Sequence, residues 1–292
     1  SNDVLAGLVT LANGTISGTD LKLTVTGVRA TNSGWALVSA NLSGGGSLAM
    51  GGRGTLTLSG SNSYEGGTLI TNGTLVAGGV YALSSGALTI SGGTLSLTNA
   101  NVQAGPLTIL SGTISGSGTL TAASYALNGG TVTAGLGEGI LTVGGSSTLS
   151  GTSLATKVSI YSGSLVLSGG NNRLSTNAMV VLSNATRLNL GGANQTLAGL
   201  TGTGSVTNAA GTLTLTIDAG TNDVFGGVIS GAGGVTLGGS GTLTLSNSNT
   251  YMGLTTVLNG GTLVLAASNA LAGSSFGGSL LVTNGTLDAG AY

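Results

Sequence analysis

The chain repeats a unit of about twenty residues in which glycine-rich corners separate short runs of alternating Thr and Leu. Residues 52–66 recur, with the same Thr-Leu-Thr-Leu centre, as residues 239–253. Related units begin at Thr55, Thr74 and Thr94, which are 19 and 20 residues apart. A unit this short cannot bury its own apolar side chains, so successive copies must stack and share one core. The period therefore favours a stacked repeat fold over an ordinary globular domain.

Strict alternation of Thr with Leu predicts half-buried β-strands, because side chains point to opposite faces of a strand in turn. Gly pairs and Asn-Gly steps bound these strands, and both residue types tolerate the backbone conformations of a sharp corner. The same steps could also close antiparallel hairpins in a β-sandwich or barrel. The regular repeat favours a parallel β-solenoid, and we predict a single continuous one over residues 1–292. It should be all-β, with essentially no α-helix and on the order of 12–14 turns.

The composition excludes several classes of protein. The chain has no Cys and no His, which removes zinc, haem and iron–sulfur sites, disulfides and Ser–His relays. Six basic and seven acidic residues give a formal net charge of −1, so no basic face exists for nucleic acid or an anionic membrane. No apolar run reaches 18 residues, so we predict no membrane insertion of this segment. We predict no cofactor.

Asp218 and Asp223 are two acids within one short stretch, and paired carboxylates can cleave glycosidic bonds. An enzyme would bring this pair together with a basic group such as Lys157 or Arg187. No basic residue lies near the pair in the sequence, so we expect both acids in a solvated corner. Calcium would need several clustered oxygen ligands, which the sequence does not supply. We therefore predict no catalytic residue, no metal ligand and no cofactor-binding residue.

Two further patterns suggest binding. Trp35 and the tyrosines, including Tyr64 and Tyr251, could stack on sugars in a glycan-binding protein. Tyr64 and Tyr251 occupy the same place in the two best repeats, which favours a structural role. Thr-x-Thr strings resemble the Thr ladders of ice-binding solenoids, but their uneven spacing speaks against one flat array. Outward Thr is also common on ordinary strands.

Residues 52–75 and 239–262 resemble the autotransporter-associated β-strand repeat, and the resemblance is clearest over 44–78 and 171–290. Proteins with such repeats are similar to passengers of bacterial autotransporters and related secreted proteins. The resemblance implies a right-handed parallel β-helix at the cell surface or outside the cell, exported by a bacterium. It does not imply one activity.

We accordingly predict a non-catalytic extracellular structural protein, a β-solenoid stalk or fibre building block. Residues 4–11 and 280–287 have the pattern of ordinary solenoid strands, so another turn should cover each of them. That turn belongs either to a longer chain or to a second copy, and end-to-end stacking of copies would build filaments. The alternatives are an adhesin or glycan-binding passenger, a polysaccharide-degrading enzyme and an ice-binding solenoid.

Overall fold

The computed structural model describes residues 2–18, 21–98, 101–271 and 279–290. Contacts between Cα atoms divide the chain into two compact units, Ser1–Ile140 and Leu141–Tyr292. The described residues form 38 strands and no helix, as the alternating pattern predicts.

The first nineteen strands are short, apart from two of ten residues each. They are β1 (Asn2–Leu5), β2 (Leu8–Leu11), β3 (Gly14–Ile16), β4 (Leu21–Thr24), β5 (Gly27–Ala30), β6 (Trp35–Val38), β7 (Asn41–Gly44), β8 (Leu48–Met50), β9 (Thr55–Leu58), β10 (Ser63–Tyr64), β11 (Thr68–Ile70), β12 (Thr74–Ala77), β13 (Leu88–Leu97), β14 (Asn101–Gln103), β15 (Leu107–Gly116), β16 (Thr119–Thr121), β17 (Ser124–Leu127), β18 (Gly130–Val132) and β19 (Gly135–Leu136).

The other nineteen strands have two to four residues each. They are β20 (Ile140–Val143), β21 (Ser146–Leu149), β22 (Lys157–Ile160), β23 (Ser164–Leu167), β24 (Met179–Leu182), β25 (Arg187–Asn189), β26 (Gln195–Leu197), β27 (Gly199–Gly202), β28 (Ser205–Thr207), β29 (Thr212–Leu215), β30 (Asn222–Phe225), β31 (Ile229–Gly231), β32 (Gly234–Leu237), β33 (Thr242–Leu245), β34 (Thr250–Tyr251), β35 (Thr255–Val257), β36 (Thr262–Leu265), β37 (Leu280–Val282) and β38 (Thr286–Asp288).

Three parallel ladders build the first unit. The first ladder stacks β2, β5, β8, β11, β13, β15 and β17. The second stacks β3, β6, β9, β12, β13, β15 and β18, so the two long strands serve both ladders. The third side holds β1, β4, β7 and β10, and further along the chain β14, β16 and β19. Each turn of this unit thus extends the first and second ladders, whereas the third side has no described strand between β10 and β14.

The second unit has the same construction. Its first ladder stacks β22, β24, β27, β30, β33, β36 and β38. Its second contains β21, β23, β25, β28, β31 and β34, and its third contains β26, β29, β32, β35 and β37. The structure confirms the all-β, parallel β-solenoid with about 14 turns in total. The right-handed winding and the single solenoid over residues 1–292 stay predictions.

The core of the first unit consists of stacked apolar columns. Leu56, Leu75, Leu95 and Ile114 lie directly above one another in the second ladder, and all four are fully buried. Alternation within each strand sends these side chains inward and their neighbours outward. The Asn-Gly step at residues 72–73 joins two strands of different parallel ladders, so it forms a solenoid corner and not a hairpin.

A column of threonines runs along the outer face of the same ladder. The corners absorb the uneven spacing of the Thr residues in the sequence, and five half-buried ones stack in register: Thr55, Thr74, Thr94, Thr113 and Thr131. A second outward column lies two residues further along each of these strands. It contains Thr57, then Val76, and then serines. The Thr array is therefore one residue wide over these turns.

Candidate functional site

The acid pair predicted as the candidate enzyme site is split between surface and core. Asp218 is exposed at a corner, whereas Asp223 lies on β30 with 2% of its surface exposed. The expectation that both acids sit in a solvated corner is wrong for Asp223. Its Oδ2 accepts a hydrogen bond of 2.8 Å from the backbone N–H of Leu200 in the preceding turn. Gly199 leaves room for the carboxyl, since a Cβ there would come within 2.4 Å of Oδ2.

The basic groups do not complete a catalytic cluster. Lys157 lies on β22 in the first ladder of the second unit, and Arg187 lies on β25 in the second ladder. Both are exposed, on different sides of the turn, while Asp223 faces the core. Among the residues that the structure describes, no three acidic side chains gather into a group that could hold a metal ion. This arrangement offers no two opposed carboxylates to a substrate.

Burial raises the pKa of the Asp223 carboxyl, and the hydrogen bond from Leu200 N–H lowers it in part. Because the folded-state pKa is raised, ionising Asp223 costs folding free energy. The contribution of the neutral carboxyl to the free energy of unfolding is therefore present at low pH and is lost as pH rises through the folded pKa. We expect Asp223→Asn, which keeps an oxygen for Leu200 N–H, to raise the free energy of unfolding at pH 7 by more than about 0.5 kcal/mol. Urea titrations at pH 4 and pH 7 would measure this.

The matched control is Asp218→Asn, which removes an exposed carboxylate from the same stretch. Its effect should stay within about ±0.5 kcal/mol at both pH values. The gain from Asp223→Asn should shrink towards pH 4, where the wild-type carboxyl becomes neutral. An Asp223→Asn variant that is less stable than the wild type at pH 7 would contradict this account.

The tyrosines shared by the two best repeats are structural. Tyr64 and Tyr251 are each 1% exposed, and each hydroxyl shares a 2.6 Å hydrogen bond with the Thr four residues later, Thr68 or Thr255. Burial raises the pKa of the Tyr64 hydroxyl. Their rings therefore fill the core, and neither is accessible to a sugar.

Two buried asparagines join three successive turns, and the sequence analysis did not single them out. Asn62 accepts a 2.8 Å bond from Leu42 N–H in one neighbouring turn and donates a 2.6 Å bond to Ala82 O in the other. Asn249 does the same with Ile229 N–H and Ala270 O. Their identical place two residues before the repeated Tyr was the signal that could have revealed them. A buried amide that bridges turns satisfies backbone groups where strand pairing stops at a corner.

In the described part of the first unit, the exposed large aromatics lie on different sides. Trp35, Tyr81 and Tyr161 are each slightly more than half exposed. Trp35 lies on β6, one turn before the first Thr of the column, and is in register with that residue, Thr55. Tyr81 lies on the third side of the same unit, between β10 and β14 in sequence, and Tyr161 belongs to the second unit. Within the first unit, Trp35 and Tyr81 therefore do not form one row for a glycan chain.

Comparison with protein families identifies the recurring unit. Residues 48–77, 90–115 and 235–265 match the family described as the passenger-associated-transport-repeat. Each of the three segments is similar to this repeat, and in chain order they are called the first, second and third repeats. The match confirms the resemblance to autotransporter passenger repeats. Neither the curated proteins nor the solved structures gave a match to this chain.

The first and third passenger-associated-transport repeats share the buried Tyr–Thr pair and the bridging Asn described above. The second repeat, 90–115, begins within β13 and ends within β15, and it lies outside the segments where the resemblance was clearest. Repeats of this family imply a secreted or surface-exposed protein. In the described part of the chain, no helix is long and apolar enough to span a membrane.

Proposed function

We propose that this chain is a non-catalytic structural segment, a β-solenoid stalk or fibre building block of a secreted or surface protein exported by a bacterium. The observation that carries the proposal is the stacking of parallel strands in register along the first and second ladders of each unit. Within each unit, an interior turn is bonded to the turns on both sides through backbone groups, and the apolar columns extend with each added turn. Such a structure lengthens without a new core, which suits a spacer.

Three passenger-associated-transport repeats support the same function. The family occurs in passengers, whose solenoids project from or leave the cell. A formal net charge of −1 leaves little long-range repulsion between copies, which favours association.

We propose further that copies stack head to tail. In the described residues β1 and β2 pair on one side only, with β4 and β5, and they expose Val4, Leu5 and Leu8 by 48%, 86% and 65%. A free strand edge with exposed apolar side chains is a template for another parallel turn. A second copy supplies such a turn, and so would a longer chain. Head-to-tail stacking does not close on itself and generates filaments.

Sedimentation velocity over micromolar concentrations tests this association. We expect the wild type to form larger species as concentration rises, and Leu5→Lys to reduce them, because a charge on the edge opposes strand addition. The control is Leu69→Lys, which places the same charge on an exposed position in the middle of a ladder and should leave association unchanged. A wild type that stays monomeric at every concentration would rule out head-to-tail stacking and leave the spacer function standing.

The competing function is cleavage of a polysaccharide. The inward Asp223 and the exposed Asp218 argue against a carboxylate pair. We expect no release of reducing ends from bacterial or plant polysaccharides. Release that is abolished in the double variant Asp218→Asn, Asp223→Asn would show the proposal of a non-catalytic protein to be wrong.

A further inference from the structure

A cleft of about 370 Å³ opens on the third side of the first unit, at the first passenger-associated-transport repeat. Its polar lining includes Glu65, Gln103 and Ser85, all exposed, and its aromatic wall is Tyr81, which is 56% exposed. Buried Leu83 adds an apolar surface. The cleft falls in the size range of small-molecule sites, which combine apolar surface with a few polar groups.

The cleft exists because the ladder on this side is interrupted. Strands β1, β4, β7 and β10 form one sheet, and β14, β16 and β19 form another. The turn between β10 and β14 has no strand on this side, so Tyr81 and its neighbours follow an irregular path. Backbone bonds still hold that path: Asn62 N–H donates to Tyr81 O at 2.8 Å, and Gln103 N–H donates to Val80 O at 2.9 Å. The aromatic wall is therefore anchored from both neighbouring turns before any ligand arrives.

The third repeat shows that the fold does not need these side chains. There Asn249 N–H donates to Asn269 O, as Asn62 N–H donates to Tyr81 O. Asn269 thus takes the place of Tyr81. The bridging residue next to it is Asn249, which corresponds to Asn62. Met252 takes the place of Glu65, and both backbone N–H groups bond to the preceding turn in the same way. The aromatic ring of Tyr81 and the carboxylate of Glu65 are therefore absent from the corresponding positions, Asn269 and Met252, of the second unit.

We propose that this cleft binds one neutral pyranose unit of a saccharide. The face of an exposed tyrosine ring packs against the C–H face of a sugar ring, and its hydroxyl keeps a polar contact. A carboxylate accepts hydrogen bonds from sugar hydroxyls more strongly than a neutral group does, and the Gln103 amide both donates and accepts. No basic side chain lines the cleft, so a sugar carboxylate would meet only the charge of Glu65. One carboxylate is too few for a calcium site and for a glycosidase pair.

This site goes beyond the structural function and does not depend on it. A stalk that carries a sugar site could hold the solenoid against a glycan coat at one defined height. The two functions fail separately, since loss of sugar binding leaves the stacked turns unchanged.

The test is ligand-observed NMR titration of the full chain with methyl α-D-glucopyranoside, methyl β-D-galactopyranoside and methyl N-acetyl-β-D-glucosaminide. We expect at least one to bind with a Kd of about 1 mM, an affinity ordinary for one small ligand in an open cleft. Tyr81→Asn, which installs the residue found at the corresponding position 269, should weaken binding by about tenfold or more. Methyl glucuronoside should bind more weakly than the glucoside.

The control is Tyr161→Asn, which removes an equally exposed tyrosine from the second unit and should leave the Kd unchanged. Glu65→Met is a second variant that copies the third repeat, and it should weaken binding while the circular dichroism spectrum and melting temperature are retained. The proposal is overturned if none of the three neutral glycosides binds below about 100 mM, or if folded Tyr81→Asn and Glu65→Met bind as the wild type does.

Discussion

Replacing Leu56 by Ala is expected to lower the free energy of unfolding by roughly 2–5 kcal/mol. Leu56 is fully buried and lies in register between Ala36 in one neighbouring turn and Leu75 in the other. Truncation leaves a cavity that neighbouring turns cannot fill, because backbone pairing fixes their positions. Leu243, fully buried in the second unit, should behave in the same way. Urea unfolding followed by circular dichroism measures both changes.

Lys157→Ala is the control for the core variants. Lys157 is exposed, and its removal should change stability by no more than about 0.5 kcal/mol. Exposed ion pairs are worth about 0–1 kcal/mol each, and the chain has only six basic residues to form them. We therefore expect the wild-type melting temperature to survive 1 M salt, a concentration at which charges are screened within about 3 Å. A melting temperature that collapsed in high salt would show that ion pairs, and not the apolar columns, stabilise the fold.

Gly54→Ala is expected to be the most damaging single-methyl change in the first repeat. A Cβ at Gly54 would lie 1.9 Å from the carbonyl oxygen of Gly34 in the turn below. That oxygen already accepts bonds from Thr55 N–H at 2.8 Å and from the buried Asn32 amide at 3.0 Å. The Gly34 carbonyl cannot move aside without breaking both hydrogen bonds. We therefore expect the free energy of unfolding to fall by about 4 kcal/mol or more. Thermal unfolding followed by circular dichroism measures the loss.

Gly45→Ala adds the same methyl group at a corner of the same unit and serves as the control. A Cβ at Gly45 would have no atom within 4 Å, and its φ is not positive. The variant should lie within about 1 kcal/mol of the wild type, because Ala also reduces the freedom of the unfolded chain. Equal losses from Gly54→Ala and Gly45→Ala would mean that glycine acts here through chain flexibility and not through the close approach of turns.

The parallel stacking could be predicted from the sequence because two periods act together. Alternation of Thr with Leu decides which side chains point inward, and the recurrence of Thr55, Thr74 and Thr94 once a turn places like residues above one another. A slip of one residue would turn every Leu outward, so the register follows from the apolar pattern. The bridging Asn residues escaped prediction because a single polar residue in a corner looks like any other turn residue.

The sequence does not decide whether Asp223 points inward or outward, because either of two neighbouring apolar residues could face the core. Residues Asn222, Asp223, Val224 and Phe225 alternate equally well in either phase, with Val224 or Phe225 inside. The larger Phe225 is fully buried and Val224 is 53% exposed, so alternation carries Asp223 inward with the phenyl ring. Space above Gly199 and the N–H of Leu200 make that position tolerable for a carboxyl.

By itself, the sequence determined the strands, their parallel stacking and the apolar columns, because these follow from short periods that repeat along the whole chain. The cleft of Glu65, Tyr81 and Gln103 was decided by the tertiary structure alone. These residues come from three successive turns, and they meet because the ladder on one side lacks a strand between β10 and β14. A periodic pattern predicts what every turn has in common, whereas a site arises where one turn departs from its neighbours.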